Sequence, residues 1–329
     1  MKDVKDLKKN AGPGARSSGA HPSRFMPLML FMVRFIPSRA PRSRAHATRK
    51  FVAHPTAPRA RCRSPARALR CRAMERIAIF AALRWECRPV LRRLRQVRRE
   101  RIAGCTVWKG AAPAAEVWVI QTGMGLERAS AAAQAVAAAS EFDLFLSTGC
   151  AGALVPSLVP GDVTIATTVV GDSPTNRCDT DAPTRSHLQR CADRAGLRTI
   201  LAPVLCSAHV LSSAAAKREA AITTGAVAVE MEGTAIAHGA ARAGVPFASV
   251  RAILDRSDTE LDGSTPFLDP ASGAVRPLAL AGYLAAHPGA LPGLLALQRM
   301  MAAARASLEK LFESFLADGG DTAREHTAS

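Results

Sequence analysis

Three carboxylates beside two apolar runs are the residues of this chain best suited to chemistry. Glu230 and Glu232 stand two positions apart at the end of one run, and Asp255 follows the apolar run 247–254. Residues two apart on an extended strand point to the same face. A carboxylate can accept hydrogen bonds from both hydroxyls of a vicinal diol, and a protonated carboxyl can act as a general acid. The pattern therefore indicates a site that binds a sugar and protonates a leaving group.

The segment 226–258 predicts how these carboxylates meet. It contains a β-prone run, an Ala-rich helix-forming stretch closed by a glycine and a proline, and a second β-prone run. A right-handed crossover would place the two strands parallel in one sheet. Glu232 and Asp255 would then emerge at the same sheet edge, where open α/β sheets bind ligands.

Each of these acids also has a purely structural explanation. Glu230 and Glu232 are placed to cap the helix that follows them, which would satisfy its free N–H groups. Asp255 is close in sequence to Arg251 and Arg256 and could simply pair with one of them. Glu86, which follows the predicted first strand, could be a solvated residue in the first turn of a helix. The sequence leaves both explanations open at each position.

Two glycine turns follow other predicted strands. Gly123 and Gly125 come after a strand at 116–122, and a loop at 149–152 comes after a strand at 144–148. Glycine lets backbone N–H groups approach an anion or a sugar hydroxyl closely. Neither turn matches the dinucleotide fingerprint or the P-loop. Together with Glu86, Glu232 and Asp255, these turns give five strand ends that carry notable chemistry.

The order of the predicted elements indicates an α/β fold. Strands alternate with helices from residue 74 onward, which predicts a single three-layer domain at 74–318 with a mostly parallel, mixed central sheet flanked by helices. The tail 319–329 is predicted to be frayed. The predicted helices are 89–99, 129–140, 187–195, 234–242 and two within 278–317, and the stretch 171–184 is predicted to be a loop.

The net charge of +17 belongs almost entirely to the front of the chain. Residues 1–73 hold 18 Lys or Arg and 2 acids, whereas the rest is nearly neutral. This segment has little to bury and is predicted to be a disordered basic extension. The interpretation that we prefer is that this segment is upstream sequence included by a misassigned start codon, ahead of a start at Met74. The alternatives are a targeting segment, or an arm that binds nucleic acid or an anionic membrane.

The eight cysteines form no C-x-x-C pair and no zinc-ligand spacing, so no metal site is predicted. Free thiols fit a reducing compartment, and the protein is predicted to be cytoplasmic. Cys150 lies within the second glycine turn. It could be reactive, but the need for a small side chain in a tight turn explains it more simply.

Four motifs resemble one known family. VEMEGTAIA at 229–237, RAILD at 251–255, STGCAGAL at 147–154 followed by PGDV, and TGMG at 122–125 are similar to the purine nucleoside phosphorylase and methylthioadenosine/S-adenosylhomocysteine nucleosidase superfamily. The resemblance covers about 77–260. The continuation at 272–297 is similar to the hopanoid-associated branch, whose members are described as phosphorylases acting on adenosylhopane.

The resemblance implies roles for the matched residues. Asp255 would be the general acid that protonates the purine N7. Glu232 would bind the ribose 2′ and 3′ hydroxyls, with Met231 packed against the sugar. Glu86 would position the attacking water of the hydrolytic members. The remaining predicted substrate contacts are Glu230, Thr148, Gly149, Cys150, Gly123 and Val210.

These observations predict cleavage of the N-glycosidic bond of an adenine nucleoside, by hydrolysis or by phosphorolysis. The alternative is a non-catalytic nucleoside-binding protein on the same fold. No cofactor is implied, apart from inorganic phosphate as the co-substrate of a phosphorylase. The expected partner is a small-molecule nucleoside, which could carry a lipid 5′ group, and not a nucleic acid. By resemblance, the protein is expected to be a homo-oligomer.

Overall fold

The computed structural model describes residues 74–113, 115–173, 175–260 and 277–317. The predicted basic extension 1–73 and the predicted frayed tail 319–329 lie outside these ranges. Ten strands, seven α-helices and one short 3-10 helix (Pro288–Ala290) are assigned within them. None of the helices in the described ranges is long and apolar enough to cross a membrane.

The strands and helices have the following bounds. The strands are β1 (Arg76–Ala81), β2 (Arg95–Ile102), β3 (Cys105–Ala111), β4 (Glu116–Gln121), β5 (Leu144–Ala153), β6 (Val163–Gly171), β7 (Arg177–Asp179), β8 (Thr199–Cys206), β9 (Ala228–Glu230) and β10 (Phe247–Asp255). The helices are α1 (Arg84–Leu91), α2 (Leu126–Ala139), α3 (Ala182–Arg194), α4 (Ala214–Thr224), α5 (Gly233–Ala243), α6 (Pro277–Ala286) and α7 (Leu291–Ala317).

All ten strands belong to one mixed sheet, which closes on itself at one end. The order is β10-β6-β8-β9-β5-β1-β4-β3-β2, with an additional pairing between β10 and β5. β10 pairs with the first half of β6, and β7 pairs with its second half. The strands β5, β10, β6, β8 and β9 therefore form a closed ring. Helices α1, α3 and α7 pack on one face of the sheet and α2 and α5 on the other. The predicted α/β domain with a flanked mixed sheet is confirmed.

The predicted parallel arrangement of the strands on either side of α5 is wrong. β9 pairs antiparallel with β5, whereas β10 pairs parallel with β5. The two strands therefore run in opposite directions. Each pairs with β5, and they do not pair with each other. The crossover rule concerns parallel strands of one sheet. It does not apply here, because β9 is only three residues long and serves to close the ring.

The predicted helix 89–99 is also wrong. The helix α1 ends at Leu91, and the arginine-rich stretch that follows is the edge strand β2. Arginine is a good helix former, so the local pattern favoured a helix. Pairing with β3 overrides that preference, and β2 is exposed along almost its whole length. Charged side chains on such an edge protect it from pairing with other chains.

The second glycine turn is not a loop, because the sequence STGCAGA forms the second half of β5. Every residue of this strand is buried. The region predicted as a loop at 171–184 contains β7 and the start of α3. The helix α4 was not predicted. Its ends carry ordinary signals, since Ser213 caps the N-terminus through Ala216 N and Gly225 closes the C-terminus with a φ of 69°.

Candidate active site

Two of the predicted acids, Glu86 and Asp255, pack against the buried strand β5. A Cβ atom added at Gly149 would lie 2.8 Å from Oε1 of Glu86, and one added at Gly152 would lie 3.2 Å from Oδ1 of Asp255. Glycine at these two positions therefore makes room for two carboxylates. Glu86 and Asp255 are both about 3% exposed, so both face a protein environment and not bulk water.

Glu86 joins the first turn of α1 to β5. Its Oε2 accepts a hydrogen bond from Leu83 N at 2.8 Å, and its Oε1 accepts one from Cys150 N at 2.9 Å. Burial raises the pKa of the Glu86 carboxyl above its usual value, although these two N–H groups and the charge of Arg251 oppose the rise. A buried carboxylate with a raised pKa is suited to accept a proton from water near neutral pH.

Glu230 is engaged by the protein itself. Its Oε2 accepts a hydrogen bond from Arg251 at 2.6 Å, and both carboxylate oxygens lie 2.9 Å from Gly233 N at the start of α5. Arg251 also donates to Ser147 Oγ at 2.6 Å, which ties β10 to β5. Glu230 and Arg251 are both about 2% exposed. The structure thus places Glu230 as the cap of α5 and the partner of Arg251.

Glu232 has a freer carboxylate than Glu230. It is half-buried at the N-cap position of α5, and its Oε1 accepts a hydrogen bond from Gly125 N at 2.8 Å. This contact brings the first glycine turn to the site. Burial, followed by the negative charge of Glu230, raises the pKa of Glu232 to about 8. The negative charge of Glu86 also raises the pKa of Glu232, so the charge on one of these carboxyl groups affects the protonation of another.

Asp255 is paired with a lysine that the sequence interpretation missed. Lys217 on α4 donates to Asp255 Oδ2 at 2.5 Å, and neither Arg251 nor Arg256 takes that place. Burial raises the pKa of Asp255, and the ammonium of Lys217 opposes the rise. A short sequence separation to an arginine was therefore a poor guide to the true partner, which lies 38 residues away.

Next to Asp255 lies a small, mostly apolar cavity. Its lining includes three predicted substrate contacts, Met231, Val210 and Glu230. The other lining residues are Gly152, His209, Leu211, Lys217, Val229 and Asp255. Met231, Val210 and the predicted acid Asp255 are thus neighbours, although they come from the ends of β9 and β10 and from the segment after β8.

The other predicted contacts lie on β5 itself or in the turn after β4. Thr148 is buried, and its Oγ1 has no hydrogen-bond partner among the described residues. Gly123 donates its N–H to Ala82 O in the turn after β4. Burial and the charge of Glu86 raise the pKa of the Cys150 thiol well above its usual value. That shift keeps the thiol protonated, which disfavours the interpretation of Cys150 as a reactive cysteine.

The cations of the site are each committed to one acid. Arg251 pairs with Glu230, and Lys217 pairs with Asp255. Glu86 and Glu232 are held by backbone N–H groups. The described residues contain no group of three or more His, Cys, Asp or Glu side chains able to hold one metal ion.

Comparison with known proteins decides the family. The family model described as the phosphorylase superfamily matches residues 76–274, which is more than half of the chain. The chain belongs to the phosphorylase superfamily. All the residues of the site described above lie within the matched range.

Several solved structures of nucleosidases are similar in fold to this chain. An S-adenosylhomocysteine nucleosidase from Streptococcus pyogenes, in complex with 5-methylthiotubericidin, is 18% identical with a TM-score of 0.60, over 75% of this chain and 98% of that chain. The 5′-methylthioadenosine/S-adenosylhomocysteine nucleosidase from Neisseria meningitidis is 18% identical with a TM-score of 0.59, over 74% and 100%. Futalosine hydrolase from Helicobacter pylori is 22% identical with a TM-score of 0.52, over 55% and 88%. At these identities the likeness shows the fold.

The contact between β5 and Glu86 gives a first prediction for this superfamily member. Gly149 has a φ of 143°, and a Cβ there would lie 2.8 Å from Oε1 of Glu86. We expect Gly149→Ala to lower the free energy of unfolding by more than the roughly 1–3 kcal/mol of backbone strain alone. The matched control is Gly104→Ala, where φ is 87° and no atom lies within 4 Å of the added Cβ. Equal losses in urea unfolding would contradict the close approach of Glu86.

The raised pKa of Glu232 gives a second prediction, on stability against pH. Between its usual value of 4.5 and about 8, folded Glu232 keeps a proton that the unfolded chain has lost. Wild-type stability should therefore fall as the pH rises through this window. We expect Glu232→Gln, which does not titrate, to gain at least about 1 kcal/mol over wild type between pH 5 and pH 9. Thermal unfolding at both pH values measures this gain, and a pH-independent difference would contradict it.

Proposed function

We propose that this superfamily member hydrolyses the N-glycosidic bond of an adenine nucleoside and releases adenine. The observation that carries the proposal is the grouping of buried Glu86 and Asp255 against one strand, β5, with Glu232 held nearby by Gly125. Three separated carboxyls with distinct surroundings fit three separate roles in glycosidic cleavage.

Asp255 is proposed as the general acid. An adenine anion is a poor leaving group, and protonation of its N7 makes it a better one. Burial raises the pKa of Asp255, which favours the protonated form that donates. Such proton transfer typically contributes about 10²–10⁴-fold in rate. Met231 and Val210, in the wall of the neighbouring cavity, supply apolar surface for the base and sugar.

Glu232 is proposed to bind the two ribose hydroxyls. One of its oxygens accepts a hydrogen bond from Gly125 N, and its half-buried position leaves it accessible to a ligand. In its ionised form Glu232 has about four acceptor sites, so it can accept two hydroxyls and keep this N–H bond. Glu230 cannot do the same without giving up Arg251 and the start of α5. It is proposed to position Glu232 and Arg251 instead.

Water is favoured over phosphate as the nucleophile because of the surroundings of Glu86. A buried carboxylate can orient and deprotonate a water molecule, whereas it repels a phosphate dianion. The two arginines that flank it in sequence, Arg84 and Arg88, are exposed on α1. The buried cations Arg251 and Lys217 already pair with Glu230 and Asp255.

The fold neighbours are consistent with this chemistry. Their names describe nucleosidases of S-adenosylhomocysteine and methylthioadenosine and a hydrolase of futalosine. For this chain we propose an adenine nucleoside with a 5′ substituent. Methylthioadenosine, S-adenosylhomocysteine and, from the sequence resemblance at 272–297, adenosylhopane are the candidates.

Product analysis tests the proposal. The protein is incubated with each of the three candidate nucleosides, with and without inorganic phosphate, and adenine and the sugar product are quantified. Free sugar formed equally well without phosphate is the expected result. The Arg84→Ala/Arg88→Ala double variant is the matched control and should behave like wild type.

Two outcomes would overturn parts of the proposal. Sugar 1-phosphate formed only in the presence of phosphate would identify a phosphorylase, and would direct attention to arginines such as Arg84 and Arg88. Tight binding of a nucleoside without any release of adenine would identify a non-catalytic nucleoside-binding protein.

A further inference from the structure

A fully buried lysine stands behind the proposed acid. Lys217 is 1% exposed, and its ammonium donates to Asp255 Oδ2 at 2.5 Å, to Arg256 O at 2.9 Å and to Thr259 O at 3.0 Å. An ammonium group has three N–H donors, and all three are used. The lysine therefore ties Asp255 to the chain that follows β10.

A purely structural role explains this lysine poorly. Lysine is among the residues least often fully buried, because desolvating the charge is costly. Within α4, all of whose residues are described, Lys217 is the only buried residue. An apolar pair in place of Lys217 and Asp255 would anchor the helix at least as well, since well-packed apolar replacements of both partners of a buried ion pair are often neutral or stabilising. The charge of Lys217 is therefore best explained by its effect on Asp255.

We propose that Lys217 is a positioning residue that fixes Oδ2 of Asp255, so that Oδ1 is the oxygen that delivers the proton to the leaving base. This inference rests on the proposed function. Both carboxylate oxygens lie close to the position of a Cβ at Gly152, Oδ1 at 3.2 Å and Oδ2 at 3.3 Å, and Asp255 lines the neighbouring cavity, so it is the bond from Lys217 to Oδ2 that distinguishes the two oxygens. Lys217 holds the opposite oxygen and therefore sets the direction in which the carboxyl faces.

The ammonium also takes part in the charge balance of the proton transfer. As the glycosidic bond breaks, the O–H bond at Oδ1 of Asp255 breaks and an N–H bond forms at N7 of the base. The carboxylate that remains carries a negative charge next to the Lys217 ammonium. Lys217 thus stabilises the state that Asp255 reaches after donating, at a distance fixed before the reaction starts.

Other charged or titratable groups also surround Asp255. They are Cys150 on β5, Glu230 at the end of β9, Arg251 on β10, Arg256 and Asp258 after it, and His209 after β8. Arg251 is neutralised by Glu230, and Arg256 pairs with Asp258 at 3.4 Å. Lys217 is therefore the cation that acts most directly on Asp255.

Replacement of the lysine tests the proposal. Lys217→Met keeps the length of the side chain and removes the charge, Lys217→Arg keeps the charge, and Arg218→Met changes an exposed cation at the next position. We expect Lys217→Met to lower kcat by about 10–100-fold, because small displacements of a catalytic group cost rates of this size. KM should change by less than about threefold. Lys217→Arg should recover part of kcat, and Arg218→Met should equal wild type.

The pH profile adds a readout that a structural role would not move. The ammonium lowers the pKa of Asp255, so its removal should shift the alkaline limb of the kcat profile to higher pH. An unchanged kcat and an unmoved limb in folded Lys217→Met would overturn the proposal. If Lys217→Met does not fold, Lys217→Gln, which can still donate to the two carbonyls, is measured instead. Failure of both neutral variants to fold would leave Lys217 as a structural residue and also overturn it.

The outcome for Asp255 separates this inference from the proposed function. If Asp255→Asn is inactive while Lys217→Met is as active as wild type, only the role of Lys217 is wrong. If Asp255→Asn is as active as wild type, the proposed acid itself is wrong.

Discussion

The Asp255→Asn variant is expected to release adenine about 10²–10⁴-fold more slowly than wild type, because Asn cannot donate the proton that the leaving base needs. The fold should survive the change. The Asn side chain keeps an oxygen in the place where Asp255 Oδ2 accepts the hydrogen bond from Lys217 at 2.5 Å. Initial rates of adenine release, with circular dichroism of the variant, measure both parts of this prediction.

A riboside with a leaving group that needs no proton is the control for this variant. A p-nitrophenyl riboside leaves as a stable anion, so general acid catalysis contributes little to its cleavage. Asp255→Asn and wild type should cleave it at similar rates. A variant that loses both activities to the same extent would show that Asp255 acts through structure, and adenine release at the wild-type rate would show that it is not the acid.

The Arg251→Met variant is expected to lose about 3–5 kcal/mol of unfolding free energy, which is the usual cost of leaving a buried charge without its partner. The charge left behind is that of Glu230, which lies 2.6 Å from Arg251 and is about 2% exposed. Ser147 would lose its donor at the same time. Urea unfolding followed by circular dichroism measures the loss.

Two matched variants separate the buried pair from an ordinary one. The Arg251→Met/Glu230→Gln double variant should lose less than Arg251→Met alone, because it leaves no uncompensated charge. Arg76→Met breaks the pair between Arg76 and Glu116, whose side chains are 38% and 40% exposed. It should cost about 0–1 kcal/mol. A similar small cost for Arg251→Met would contradict the assignment of this arginine as an essential internal partner.

The sequence predicted much of the fold, because most elements carry their signal locally. Apolar runs marked β1, β4, β6, β8 and β10, and alanine-rich stretches marked α2 and α5. The direction of β9 could not be predicted in this way. It has three residues, and its direction is set by pairing with distant β5 and β8. The strand β2 was missed for a related reason, since its pairing with β3 overrides a helix-favouring composition.

The candidate site shows a similar division. The strand ends singled out Glu86, Glu232 and Asp255, and the structure places Glu86 and Asp255 against β5 and Glu232 against Gly125. The different surroundings of Glu230 and Glu232 could not be predicted, because two acids two residues apart look equivalent on a strand. Arg251 holds one of them and Gly125 the other. Lys217 carried no local signal, since a lysine on an alanine-rich helix is ordinarily exposed.

Incubation in labelled water is the most direct test of hydrolysis. The folded protein is incubated with 5′-methylthioadenosine and inorganic phosphate in ¹⁸O-labelled water, and the products are analysed by mass spectrometry. We expect free adenine together with methylthioribose that carries one ¹⁸O atom at C1. A protein that binds the nucleoside but releases no adenine, or that releases adenine with unlabelled sugar phosphate, would contradict it.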